Sequence, residues 1–332
     1  GYDVVVCTYK DNNFYQDILT SKDIEHISLR TDCSVRRLLR TIQFIRRYRG
    51  DVVISYLEQP STFCCIAKLF SKFKLIVSER NTTQTLSLNT KIRFWLYRFA
   101  DWIVPNSNTQ GKYIIKNYSE YSSKVKVITN YTDIHKFIPP KNKIQSPLIR
   151  FVVVARITPQ KNIPIFAEAV SKLKELGASF IVDWYGNPLN EEYGHYCNEY
   201  IKYKGISDVF RIHPATSDII VEYQTSNCFV LPSKYEGYPN VVCEAMSCGL
   251  PILCSNVCDN SDIVQNGVNG YLFDPNNADD IASKMILFLQ TECNRVDIMG
   301  HESRKIAEAL FSKEEFISKY IKLIESQNGK KI

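Results

Sequence analysis

Short apolar runs alternate with segments whose apolar residues recur every three or four positions, and the pattern continues along nearly the whole chain. It is the signature of βαβ units feeding parallel sheets. In the first half the runs predict strands over 2–7, 52–56, 75–78, 102–105 and 125–128, with helices over 34–48, 61–71, 90–99 and 107–117. A proline- and lysine-rich stretch over 139–147 interrupts the series and predicts a linker. A second alternation follows, with strands over 150–155, 180–184, 209–212, 228–231, 251–254 and 270–273. Its helices are predicted over 163–176, 191–203, 217–225, 240–248, 260–266 and 278–290, with a terminal helix over 313–325. The expectation is therefore an α/β protein of two doubly wound, Rossmann-like domains, 1–145 and 146–311, followed by a terminal segment, 312–332. Ligands of such open sheets bind beyond the carboxyl ends of the strands, so substrates are expected in a cleft that the two domains face.

A length of 332 residues suits two domains at about 150 residues each. A hydrophobic content of 45% with 23% charged residues is ordinary for a globular protein, and no apolar run approaches the roughly 20 residues of a membrane span. The eleven cysteines form no C-x-x-C and sit mostly inside apolar runs, which predicts reduced thiols in a cytosolic protein rather than a zinc or disulfide framework. Charge changes the picture more. Residues 1–149 carry 23 Lys and Arg against 12 Asp and Glu, whereas residues 150–332 carry 18 against 23. The sharpest basic source is the helix predicted at 34–48, where Arg36, Arg37, Arg40, Arg46 and Arg47 alternate with Val35, Leu38, Leu39, Ile42 and Ile45. Such a helix either lies on an anionic membrane or packs on its own sheet with solvated arginines. Nucleic acid is not expected, because no base-stacking or groove-reading motif accompanies the arginines.

The chemistry concentrates in Glu236-Gly237-Tyr238-Pro239-Asn240, the turn before a short helix that Gly249 and Pro251 end. Asn240 is the expected N-cap. The start of a helix offers unpaired N–H groups and partial positive charge, which seats a phosphate. Glu236 stands before that seat and Glu244 behind it, an arrangement that suits a diphosphate with a sugar on one side and a ribose on the other. Two carboxylates facing solvent near a helix dipole are the plain alternative.

Over more than forty residues, from the apolar run at Cys228 through that loop and helix to Asp274-Pro275, the sequence resembles the retaining GT-B glycosyltransferases of family 4. The segment Val153 to Asn162 also resembles the family. The resemblance implies that Arg156 and Lys161 face the diphosphate leaving group, where fixed cations offset developing charge without a metal cofactor. It implies that Glu244 binds the ribose, that Glu236 faces the donor sugar, and that backbone around Gly237, Tyr238, Pro239, Asn240 and Val241 holds sugar and phosphate. His213 falls where the family reads the nucleobase. Glu79, at the tip of the strand over 75–78, is expected either to face the donor or to form a structural ion pair. Asn130-Tyr131-Thr132-Asp133 resembles a family turn of structural role. The family's opening strand, glycine-rich loop and first helix have no counterpart here, and its terminal helix returns to the first domain.

These features predict a metal-independent enzyme that transfers a sugar from a UDP-sugar to a hydroxyl of a glycan or lipid-linked acceptor in bacterial surface-polysaccharide synthesis. Its expected location is the cytoplasm, peripheral to the inner face of the membrane. Two alternatives share the architecture: a non-catalytic binding subunit, which would bind nucleotide without turnover, and a sugar-nucleotide 2-epimerase, which would need acid and base side chains at the sugar. A Rossmann dehydrogenase is disfavoured, since no G-x-G-x-x-G follows a strand.

Overall fold

The computed structural model describes residues 1–10, 15–31, 33–83, 87–141 and 148–326, so most of the predicted linker lies outside the described residues. The chain divides into two compact units. One comprises Gly1–Pro105, Tyr113–Lys126 and the chain end from Lys322, and the other comprises Asn106–Lys112 and Val127–Ile321.

The first unit holds two parallel sheets. Strand β1 (Val5–Thr8) pairs with β2 (Glu25–Ser28), and β3 (Val52–Tyr56), β4 (Lys74–Glu79) and β5 (Trp102–Pro105) follow in order. Helices α1 (Gln16–Ser21), α2 (Ser34–Tyr48), α3 (Glu58–Ala67) and α4 (Leu88–Leu96) connect them, and α5 (Asn108–Asn117) follows β5, with only its residues from Tyr113 on in this unit. Central β4 is buried at Leu75, Ile76 and Val77, as an apolar run covered on both faces requires. The run over 125–128 corrects its prediction. Val125 forms a single bridge to Ile103, and residues 126–128 form no strand. The chain end is fastened to the first unit by Lys74, whose ammonium donates to the carbonyls of Ile324 and Ser326, and by Trp102 Nε1, which donates to Ser326 Oγ at 3.1 Å.

The second unit is built on one six-stranded parallel sheet of β6 (Ile149–Val154), β7 (Phe180–Tyr185), β8 (Phe210–His213), β9 (Cys228–Leu231), β10 (Ile252–Ser255) and β11 (Gly270–Phe273). Its spatial order is β11-β10-β9-β6-β7-β8. The order reverses between β6 and β9, which are hydrogen-bonded neighbours at Phe151 and Cys228. That is the topological switch point, where the loops after two adjacent strands part and leave a crevice. The surrounding helices are α6 (Ile163–Glu175), α7 (Glu191–Tyr203), α8 (Ile219–Gln224), α9 (Asn240–Ser247), α10 (Asn260–Ile263), α11 (Ala278–Leu289), α12 (Cys293–Leu310) and α13 (Lys313–Glu325). Helix α12 has no counterpart in the predicted series. The α/β expectation is met in both units. No helix among the described residues is long and apolar enough to cross a membrane.

Candidate functional site

The two segments singled out in the second half of the sequence leave the sheet on either side of its switch point. The chain exits β6 through Ala155 into Arg156, makes a short 3-10 turn at Pro159–Lys161 and enters α6 at Ile163. Asn162, buried and in the left-handed region at φ 66°, makes that sharp entry possible, and its Nδ2 donates to the carbonyl of Pro275 at 2.7 Å. The chain exits β9 through Pro232 and Ser233 into the loop that carries Glu236. The two loops are stitched together: Lys234 N–H donates to Gln160 O at 2.9 Å, and Gln160 Nε2 donates to Tyr235 O at 2.7 Å.

Lys161 and Glu236 meet at 2.5 Å within this seam. Glu236 is only 7% exposed, so each charge is held where the other compensates it. Arg156 differs. It is exposed, and among the described residues no carboxylate pairs with it, so its positive charge is not neutralised locally. The α9 helix starts one residue earlier than the predicted capping role requires. Pro239 is the N-cap, Asn240 is the first helical residue, and no side chain caps the helix. A proline there loses nothing, because an N-cap N–H has no intrahelical acceptor, and the Pro239 carbonyl still accepts from Val242 N–H at 3.1 Å. The amides of Asn240 and Val241 make no hydrogen bond among the described residues, as expected for an open first turn. Asn130 holds the turn from beneath: its Nδ2 donates to Asn240 Oδ1 at 2.6 Å and to Tyr238 O at 3.2 Å. Tyr238 itself is buried against Phe311, so its ring anchors the loop and only its backbone belongs to the surface.

Glu244 lies one turn into α9, half-buried, and accepts from the hydroxyl of buried Tyr223 at 3.0 Å. Burial pushes its carboxyl above the ordinary range, against smaller downward pulls from the Tyr223 hydrogen bond and from Lys136. An acid raised in this way favours the folded state while protonated and loses that contribution as pH rises through its folded pKa. Glu244→Gln is therefore expected to flatten the decline of stability that sets in as pH rises above the ordinary glutamate pKa of about 4.3, measured by denaturant unfolding at a series of pH values. An identical slope in the two proteins would show that Glu244 is not buried as described.

His213 ends β8, stacked on Tyr185 with ring centroids 4.7 Å apart, and its Nε2 lies 2.7 Å from Asp183 Oδ1. Asp183 also accepts from Arg150 Nε at 2.6 Å, and Arg150 reaches Glu222 at 2.6 Å. Burial alone would raise the Asp183 carboxyl, yet the hydrogen bonds from Arg150 and His213 outweigh it and hold it below the ordinary carboxylate range. The backbone nearby is already engaged, since His213 O accepts from Gly186 N–H at 3.0 Å and Ala215 N–H donates to Asn187 Oδ1 at 3.0 Å. Gly186 is fixed by packing: a Cβ there would stand 2.0 Å from the carbonyl oxygen of Ala155. Gly186→Ala should cost about 1–3 kcal/mol in chemical denaturation by forcing the β6 and β7 loops apart. A variant as stable as the parent would contradict that approach.

Glu79 belongs to the first unit. It is 2% exposed at the tip of β4, accepts from the Tyr97 hydroxyl, and faces Arg93 at 3.6 Å. Arg93 in turn pairs with Glu58 at 2.6 Å. The Glu79 carboxylate is thus buried facing a guanidinium, and burial pushes it upward.

With the geometry in view, comparison with known proteins decides the family. The sequence profile described as "Glycosyl transferases group 1" matches residues 135–306, more than half of the chain. This chain belongs to that family. It is a glycosyltransferase. It is 30% identical over 286 residues to the Escherichia coli protein named "UDP-Gal:alpha-D-GlcNAc-diphosphoundecaprenol alpha-1,3-galactosyltransferase", which covers 79% of this chain and 71% of that protein. It is 34% identical over 118 residues to the Staphylococcus aureus "Capsular polysaccharide biosynthesis glycosyltransferase CapM", covering 34% of this chain and 31% of the relative. Its fold is similar to that of Anabaena Alr3699/HepE, solved in complex with UDP and glucose, with a TM-score of 0.84 at 17% identity over 97% of this chain and 92% of the other.

Within this glycosyltransferase, several supporting residues gave little signal in the sequence. Asn130 had been assigned to a turn, but nothing in its spacing showed that it reaches α9, more than a hundred residues away. Tyr223, Asp183 and Arg150 are also distant in sequence from the groups they hold. An aspartate in the middle of an otherwise apolar strand, as at Asp183, was the one available hint, since a buried carboxylate requires partners.

Proposed function

We propose that this chain is a retaining glycosyltransferase that moves a sugar from a UDP-sugar to a hydroxyl of a glycan or lipid-linked glycan acceptor, in the assembly of a bacterial surface polysaccharide. The observation that carries the proposal is the seam at the switch point, which sets Arg156, Lys161 and the open end of α9 on adjoining loops. A nucleoside diphosphate is the ligand whose charge and shape suit two cations and two free amides. The E. coli relative's name and the UDP-bound Anabaena structure support uracil as the base.

In this proposal the amides of Asn240 and Val241 donate to phosphate oxygens. Arg156 grips the diphosphate bidentately, and Lys161 adds a compact charge that Glu236 holds in position. Gly237, Tyr238 and Pro239 shape the turn around the sugar, Glu244 accepts from the ribose hydroxyls, and His213 with Tyr185 forms a wall beside the base. Glu79 is left out of the donor set because its carboxylate is enclosed. The acceptor hydroxyl attacks the anomeric carbon on the face that the diphosphate leaves. The carbon–oxygen bond to phosphate breaks as the new glycosidic bond forms, and the acceptor's proton passes to the departing phosphate oxygen. Configuration is retained without a protein base, Glu236 lends negative charge to the sugar as it becomes cationic, and the fixed cations do the work a metal would otherwise do.

The acceptor is proposed to lie at the inner face of a membrane. Helix α2 exposes Val35, Leu39, Arg36, Arg46 and Arg47, a combination suited to anionic lipid. The test is to offer UDP-glucose, UDP-galactose, UDP-GalNAc and UDP-GlcNAc with a metal chelator present, and to follow UDP release. Release from at least one donor, unchanged by the chelator, is expected. Nucleotide binding without release from any donor, even with acceptor extracts added, would instead favour the non-catalytic subunit.

A further inference from the structure

Helix α4 is apolar on two faces, and only one of them serves the core of the first unit. Phe94 and Leu96 are buried inward, together with Tyr97 just beyond the helix. On the outward side Leu88, Ile92 and Trp95, at spacings of four and three residues, are 72%, 46% and 52% exposed. A surface helix ordinarily needs a single apolar stripe, so the outward one is surplus to folding. Beside it opens a shallow cavity of about 620 Å³, lined by Lys91, Ile92, Trp95, Asn117 and Tyr118. Tyr118 makes a fixed wall, its ring stacked on Phe94 with centroids 4.8 Å apart. Ile115, in the last turn of α5, is also exposed.

The charges around this patch are mostly positive, with one carboxylate, that of exposed Glu120, close to Tyr118. Lys91, Arg98 and Lys116 are exposed at its edge, and neither α4 nor α5 contains an acidic residue. The Arg98 guanidinium sits over the Trp95 ring at 4.4 Å, which keeps a cation level with the indole. An exposed tryptophan among aliphatic side chains, with Lys91, Arg98 and Lys116 at its edge, matches the boundary between anionic headgroups and acyl chains.

We propose that the outward face of α4, with the last turn of α5, is a docking surface for an anionic lipid bilayer, with Trp95 as its interfacial anchor. The inference goes beyond the electrostatic role proposed for α2, because it assigns the apolar insertion to a different surface. Its test does not depend on donor chemistry.

Trp95 reports on its own insertion, because the other two tryptophans, Trp102 at 9% and Trp184 at 0% exposure, are buried. The experiment adds vesicles of phosphatidylethanolamine, with or without phosphatidylglycerol, to the full chain and follows tryptophan emission and co-sedimentation. A blue shift is expected only with phosphatidylglycerol, and Trp95→Phe should abolish it. Ile92→Asp should lower the vesicle-bound fraction at least about tenfold, and Lys91→Gln about fivefold, as expected for one cation near an anionic surface. Both variants should unfold at the parent's temperature and release UDP from the donor at the parent's rate. The proposal is overturned if vesicles bind without a Trp95 emission change, or if Ile92→Asp binds as tightly as the parent. It is overturned equally if removing the α2 arginines abolishes binding while Ile92→Asp does not, or if Ile92→Asp dissociates a dimer without affecting vesicle binding. Loss of donor turnover with vesicle binding intact would count against the proposed function and leave this surface standing.

Discussion

Arg156→Ala should lower sugar transfer by about 10²- to 10³-fold, close to 3–4 kcal/mol of lost transition-state stabilisation, while the protein remains folded. Both halves of that expectation come from one observation: Arg156 is exposed and has no carboxylate partner among the described residues. Removing it strands no buried charge, so its effect on stability should stay within about 0.5 kcal/mol. Its charge is also unspent in the free protein and available to a diphosphate. Arg156→Lys should recover part of the rate, remaining roughly tenfold below the parent, because an ammonium cannot replace a bidentate grip. Steady-state rates with the best donor, read beside thermal melts, separate the two effects. A variant that transfers normally would remove Arg156 from the site.

Lys161 should behave in the opposite way on stability. Lys161→Met removes the ammonium that compensates the buried Glu236 carboxylate, a loss expected to cost about 3–5 kcal/mol. Transfer would fall as well, but a poorly folded protein cannot show why. The double variant Lys161→Met with Glu236→Gln resolves this, since it removes both charges and should regain most of the stability. Activity should nevertheless stay at least about 10²-fold down, because the diphosphate still lacks its cation. Recovery of both stability and rate would reduce the pair to a structural role.

Most of the strands were legible in the sequence because a parallel sheet buried on both faces must be written as a short apolar run. Cys228–Leu231 and Gly270–Phe273 match the predicted bounds, and the helix after the Glu236 turn differs by one residue at its end. Helix α12 escaped for a physical reason. Its buried positions are Met299, Gly300, Ser303 and Ala307, mostly small residues that allow close packing on α9, where Arg304 Nη1 donates to Ser247 O at 2.7 Å. A stripe of small residues carries no hydrophobic period. Strand β2 escaped because Glu25-His26-Ile27-Ser28 is short and only half-buried. The loop residues of the candidate site were visible as motifs, but their connections were not. The Lys161–Glu236 pair, the Asn130 brace and the Asp183 network each link positions at least thirty apart in sequence, and only the strand order brings them together. Glu79 shows the converse. A charged residue at a strand tip left a donor contact and a structural ion pair equally open, and the arginine and tyrosine beside it come from the α4 region, which no local motif could reveal.

Calorimetric titration of the chain with UDP and, separately, with uridine tests the central claim most directly. If the switch-point seam is a diphosphate seat, UDP should bind at least about 100-fold more tightly than uridine, equivalent to roughly 2.7 kcal/mol, and Arg156→Ala should erase most of the difference. Equal affinity for the two ligands, or a preference for UDP that survives the loss of Arg156 and Lys161 together, would contradict it.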